Sequence, residues 1–230
     1  MVDKFVFILF SAIICFASQG ETIISSKIGA AKIISPCNVR DTKCIADNLS
    51  SNSKCRTNVK GQAPEYYISK FEFKTPYFNS TYTDTDLYVR NQDKCFVSVF
   101  FFNTESGRAV MTIECPDLDL ESERQYIQHE TYKEDAYYSY HIRAVYPLVR
   151  ITITFKPGQL DLCTASIFAD AGPLPILKIN PNDKPTANRL TRDLTLLNIY
   201  ERENFAVRGP GIAYEFVSAA LCDYGCPLPP

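Results

Sequence analysis

Few residues in this chain could do chemistry. His129 and His141 are the only histidines, and a Ser-His or Cys-His nucleophile pair would need one of them. His129 lies between Gln128 and Glu130 with no motif around it, and His141 alternates with tyrosines. Both read as ordinary surface or sheet histidines. The chain has no G-x-S-x-G, no H-E-x-x-H and no Gly-rich phosphate loop. Acidic residues recur at Glu114, Asp117, Asp119, Glu121 and Glu123, without the glycine and closing glutamate of a calcium loop, so a solvated strand edge or turn is expected. Carboxylate pairs for glycoside cleavage lack any polar-aromatic site pattern around them. No catalytic residue, metal site or cofactor is predicted.

Cysteine is the informative reactive residue. Lys4 in a short polar start, the apolar run Phe5 to Ala17, and Ser18 and Gly20 before Glu21 read as a secretory signal over residues 1–20, with cleavage after Ala17 as second choice. The run is shorter than the ~20 residues of a membrane span. Cys15 leaves with this signal. Cys37, Cys44, Cys55, Cys95, Cys115, Cys163, Cys222 and Cys226 remain, an even set that implies a disulfide framework in an oxidising compartment. Only Cys222 and Cys226 are close enough for a zinc pair, and no second pair stands at finger spacing.

Two tripeptides, Asn48-Leu49-Ser50 and Asn79-Ser80-Thr81, are N-glycosylation acceptors, Asn79 being the better because its third residue is threonine. Both asparagines are expected to face solvent.

Composition bounds the rest. The formal charge of −2 excludes a strongly basic nucleic-acid binder, and no second stretch reaches membrane-span length. The C-terminal Pro-Leu-Pro-Pro is no lipid-anchor signal. Fourteen Tyr and fifteen Phe with no Trp favour pleated, half-buried surfaces. There is no internal repeat. Residues 21–230 are expected to form one domain.

The elements follow from periodicity. Glu21 to Ala31 is a weak leader, and Cys37 to Asn58 a short helix with pinned loops. Strands are expected from Tyr67 to Phe73, from Phe78 to Val89, and on both sides of Thr104-Glu105-Ser106-Gly107, a hairpin turn. That turn places Cys95 roughly opposite Cys115. Further strands are expected at Tyr137 to Tyr146, Val149 to Phe155, Leu162 to Ala169 and Pro175 to Asn180, with Pro147 at a bend or edge. The run Phe96, Val97, Val99 to Phe102 is apolar on both faces and is expected in the core, with a lipid cavity or protein interface as the other readings.

Leu190, Leu194, Leu197 and Tyr200 then recur at helical spacing within Asn188 to Asn204, capped by Thr191 or Asn188, with Glu201, Arg202 and Glu203 towards solvent. Arg208 to Gly211 breaks the pattern, and a helix resumes from Ile212 to Leu221 with Gly225 as its cap. The sum is α+β: an antiparallel sheet with terminal helices packed on one face.

Longer blocks carry a resemblance. They are Pro36-Cys37 with Asp41 and Cys44-Ile45, Pro76 to Asn79, Glu114-Cys115-Pro116, Tyr146 to Arg150, Ile179 to Asp183, Asp193 to Glu203, and Cys222 to Cys226. In these the chain resembles the fibrohexamerins, the small glycoprotein subunits of lepidopteran silk fibroin. The resemblance implies a secreted, non-enzymatic protein of the silk gland lumen. Such a subunit associates non-covalently with fibroin heavy and light chains and keeps them soluble. An even cysteine set leaves no thiol for a covalent bridge to that partner.

A sparser resemblance links Pro36-Cys37-x6-Cys44, the strand run and a C-terminal helix with a cysteine to the juvenile-hormone-binding and takeout proteins. It implies a long curved sheet packed on a helix, a possible apolar small-molecule ligand, and disulfides Cys37–Cys44 and Cys163–Cys222. Cys55 and Cys226 are then left for each other.

Overall fold

The computed structural model describes residues 36–57, 63, 65–75, 79–190 and 194–226. The signal at 1–20, the leader at 21–31, Asn58, Pro76 to Phe78, Thr191 to Asp193 and the tail at 227–230 lie outside the described residues. Helix α1 (Thr42–Asn52) starts where the Asp41 carboxylate accepts the Cys44 N–H at 2.9 Å, an N-cap that satisfies one orphan donor. It buries Ile45 and Leu49.

Seven antiparallel strands follow: β1 (Tyr66–Thr75), β2 (Ser80–Arg90), β3 (Phe96–Asn103), β4 (Arg108–Gln128), β5 (Ala136–Thr154), β6 (Ser166–Ala171) and β7 (Ile176–Pro181). β4 and β5 are long and pair along their whole length. One edge of β4 is shared by β3, along residues 108–114, and β2, along 119–128. The free edge of β5 is shared in the same way by β6 and β7. The sheet therefore has two halves, β1-β2-β4-β5-β7 and β3-β4-β5-β6.

Helices α2 (Lys184–Leu190) and α3 (Leu194–Ala220) close the chain. Phe205, Ile212, Ala213, Phe216 and Val217 of α3 share one core with Met111, Ile113, Ile151, Ile153 and Ala169 of the sheet. A smaller cluster stacks Phe73 on Tyr82 at 5.0 Å and Tyr82 on Tyr126 at 4.9 Å, and includes Leu190 of α2. The architecture is the expected α+β sheet packed on a C-terminal helix.

Several local expectations are corrected. Arg208 to Gly211 does not interrupt the helix: α3 runs through it with Pro210 inside. A β-carbon added to Gly209 would stand 2.0 Å from the Ala169 Cβ, so this glycine lets α3 approach β6 closely. The burial gained there outweighs the hydrogen bond and fit that an internal proline forfeits. The preceding helix is also divided, with Asn188 inside α2 and the Asp183 carboxylate capping α2 at the Thr186 N–H, 2.7 Å away. Gly225 is not the cap of α3, which ends at Ala220 with the Leu221 and Cys222 N–H groups both on the Val217 carbonyl.

Pro147 lies inside the single strand β5, neither at a bend between two strands nor on an edge. The ladder steps from Pro116↔Leu148 to Leu118↔Tyr146, and Asp117, the residue between, has φ +51°. No N–H is needed where proline has none.

The structure pairs Cys37 with Cys44 and Cys95 with Cys115, as expected, with Cα separations of 5.6 and 4.1 Å. The other two pairs are exchanged: Cys55 joins Cys222 and Cys163 joins Cys226, at 5.5 and 5.4 Å. The cause is the bridge between Arg56 and Asp223, two backbone hydrogen bonds of 2.9 Å that set Cys55 beside Cys222. The turn through Gly225 then brings Cys226 to Cys163.

Candidate functional site

The expected core strand β3 is open on one face. A bulge between Val97 and Val99 shifts its register against β4, which turns Val99 and Phe101 to the same side as Phe96. Those three are 48%, 43% and 56% exposed, whereas Val97 is buried. Register carries this outer face across four strands. Phe101 lies beside Val110, Thr154 and Ser166, and Val99 beside Thr112, Thr152 and Phe168. Phe168 is 65% exposed. Only the third row, Phe96, Glu114, Arg150 and Asp170, is charged, and there the Arg150 guanidinium pairs with Glu114 at 3.1 Å.

The outer face of the other half has a charged centre, with Tyr67, Tyr137 and Ile176 exposed around it. Glu121, Glu123, His141 and Arg143 project together from β4 and β5. His141 bridges Glu123 at 2.9 Å and Glu121 at 3.2 Å, and Arg143 pairs with Asp119 at 2.6 Å. Arg90 bonds Glu121, and that hydrogen bond holds the Glu121 carboxyl below its ordinary range. The acidic stretch therefore sits on a central strand rather than an edge or turn, and basic side chains answer it. The contrast leaves one half of the sheet presenting phenylalanine, valine and threonine to solvent. Single exposed apolar residues need no explanation, but a contiguous set marks an interaction surface.

A buried polar cluster fixes α3 beneath the charged half. The Arg124 Nε donates to Asp84 at 2.6 Å and its Nη1 donates to Glu201. Arg208 donates to Glu201 at 2.6 Å and to Asp84 at 2.7 Å, closing a four-membered cycle of two cations and two anions. Ser122 and Tyr146 hydroxyls add donors to Asp84 and Glu201. All four charged residues are buried. Burial works against the Arg124 charge, but Asp84 and Glu201 outweigh it and raise its pKa well above the ordinary value. Glu201 thus corrects the expectation that residues 201–203 face solvent. Its spacing was the available signal: four residues after Leu197, four before Phe205 and seven before Arg208, it lies on the apolar stripe.

The predicted site residues fall as follows. The His129 ring bonds Thr81 Oγ1 through Nε2 and Asp135 through Nδ1, each at 2.8 Å. This arrangement looks like a nucleophile–base–orienter chain, but Thr81 is buried and lines none of the described cavities, so it ties β2 to the β4–β5 turn. Asn79 is exposed, at φ +47°, with its Nδ2 donating to the His129 carbonyl at 3.0 Å. The expectation that Asn48 faces solvent is corrected: it is 1% exposed, and its Nδ2 lies 2.8 Å from Cys37 Sγ and 3.2 Å from the Cys44 carbonyl. Asp161 approaches Cys163 and Cys226, but those sulfurs are bonded to each other and offer no thiolate pair to a metal.

The family model described as Fibroin P25 matches residues 33–226. The chain belongs to the Fibroin P25 family. A curated relative, Fibrohexamerin of Galleria mellonella, is 47% identical over 222 residues, covering 96% of this chain and 98% of the relative. Among solved structures, Takeout 1 of Epiphyas postvittana covers 79% of this Fibroin P25 family chain and 89% of its own. Its TM-score is 0.41 at 8% identity, too low a likeness to bear on function. No described helix of this family member is long and apolar enough to cross a membrane.

Proposed function

We propose that this chain is a secreted silk glycoprotein, folded as one domain after loss of its signal, that associates non-covalently with fibroin heavy and light chains and keeps them soluble during secretion in the gland lumen. Its role is structural, not enzymatic. The observation that carries the proposal is the end-to-end match to Fibrohexamerin at 47% identity. Two structural features support it. The eight cysteines of residues 36–226 pair with one another, which favours attachment without a shared disulfide. The face of Val99, Phe101 and Phe168, bordered at Phe96 by the Glu114–Arg150 ion pair, supplies apolar area, worth roughly 25 cal/mol per Å² buried.

Native pull-down from gland lumen tests this reading. Recovery of fibroin heavy and light chains supports it, and their absence opposes it.

A second reading is carriage of a small apolar molecule. A cavity of about 210 Å³ between β1, β2 and α3, walled by Ile68, Phe71, Leu87, Val89 and Ile212, favours it. That volume is below the ~300–1,000 Å³ of ligand pockets. Organic extraction followed by mass spectrometry decides it, since a carrier would release stoichiometric lipid.

A further inference from the structure

A second cavity, of about 440 Å³, lies where the turn after β2 meets the end of α3, and Gln92, Phe96, Val97, Phe216 and Ala220 line it. Its volume falls within the ~300–1,000 Å³ of ligand pockets. Gln92 is 1% exposed, and neither its Nε2 nor its Oε1 has a hydrogen-bond partner among the described residues. A native fold rarely leaves a buried carboxamide wholly unanswered, and each such group asks for an explanation.

The backbone that carries it is fixed. Asn91, at φ +67°, donates its Nδ2 to the Asp117 carbonyl at 2.7 Å, and the Cys95 N–H closes the turn on the Gln92 carbonyl at 3.0 Å. Cys95 is in turn bonded to Cys115. Arg40 and Asp93 also border the cavity, one charge of each sign. Among the described residues β3 pairs only with β4, so no described strand covers its outer edge beside the cavity.

A primary amide sets one donor next to one acceptor, the complement of the C=O and N–H of one residue in an extended peptide. We propose that this cavity docks an extended, uncharged peptide segment with small side chains, held through its main chain by the Gln92 amide and the outer edge of β3. Main-chain hydrogen bonds at a sheet edge are an established mode of peptide capture. The balanced Arg40 and Asp93 suit a segment without net charge, and the apolar walls at Val97 and Phe216 suit small apolar side chains. The inference deepens the fibroin-subunit role and rests on it for the identity of the partner chain.

The test titrates the whole secreted chain with a blocked alanine–glycine hexapeptide. Saturable binding is expected, at least tenfold weaker for Gln92→Met and absent for the hexapeptide N-methylated at alternate residues. Gln92→Met should unfold at the same or a higher temperature, because it removes an unpaired buried amide. Ala220→Leu, which fills the cavity from α3, should also abolish binding if Gln92→Met fails to fold. Unchanged affinity in the folded variants, no saturable binding (water alone at Gln92), or binding of laurate in place of peptide would each overturn the inference. Fibroin recovered in pull-down without hexapeptide binding defeats this inference and leaves the subunit role standing. Hexapeptide binding without fibroin recovery does the reverse.

Discussion

Arg124 of β4 and Glu201 of α3, 77 residues apart in the chain, meet as a fully buried ion pair. Arg208 and Asp84 complete the cycle, so the orientation of the long helix on the sheet is set by charge pairing as well as by apolar packing. Neither partner can be removed cheaply, because each leaves an uncompensated charge in a dry site.

Glu201→Gln should therefore destabilise the protein by about 3–5 kcal/mol in urea unfolding followed by circular dichroism. Arg202→Gln, one residue on and half-exposed, should cost less than about 1 kcal/mol. Equal effects of the two changes would contradict the buried cycle.

Gly209 and Ala169 make a second test. Gly209→Ala drives a methyl group into the Ala169 Cβ and should cost about 1–3 kcal/mol through forced separation of α3 from β6. Ala169→Gly in the same chain should recover part of that loss. A stable Gly209→Ala single variant would mean that α3 does not approach β6 as described.

The large features of this fold were legible because they rest on period. Tyr67 to Phe73 alternates, Gly107 supplies the left-handed turn residue (φ +65°), and Cys95 falls opposite Cys115 by counting from that turn. What sequence missed depends on contacts between distant segments. Pro210 looked like a helix breaker because local propensity carries no information about Ala169. Glu201 looked solvated because its partners Arg124 and Asp84 come from strands. The phenylalanines of β3 read as core because a bulge cannot be seen in a run that is apolar at both parities. The Arg56–Asp223 bridge decides the last two disulfides, and no spacing rule reveals it. Gln92 reads in sequence as a polar turn residue like any other, and only the fold buries it.

Alkali should report the buried phenols. Burial raises the Tyr146 pKa well above its ordinary value, with Glu201 adding to it, and burial likewise raises those of Tyr82, Tyr140 and Tyr224; Tyr66 is pushed up to about 12. A folded pKa above the unfolded value gives stability that is complete below pH ~10 and is lost as pH rises through the folded values. Absorbance titration of the folded protein should thus leave several of its fourteen tyrosines unionised until it unfolds. Smooth ionisation of all fourteen near pH ~10 would contradict their burial.

Glycosylation should be confined to Asn79. Asn79→Gln should remove all endoglycosidase-sensitive mass from the secreted protein, and Asn48→Gln none. Glycan retained on Asn79→Gln would place it on Asn48, which the disulfide-bound helix buries.

Attachment to fibroin is the central claim, and the most direct measurement is release of the subunit from the native gland complex. The near-neutral charge offers no strong electrostatic steering, and the face of Val99, Phe101 and Phe168 is apolar. The complex should survive molar salt and come apart in urea or detergent without a reductant. Release by moderate salt alone, or only after reduction, would contradict non-covalent apolar association.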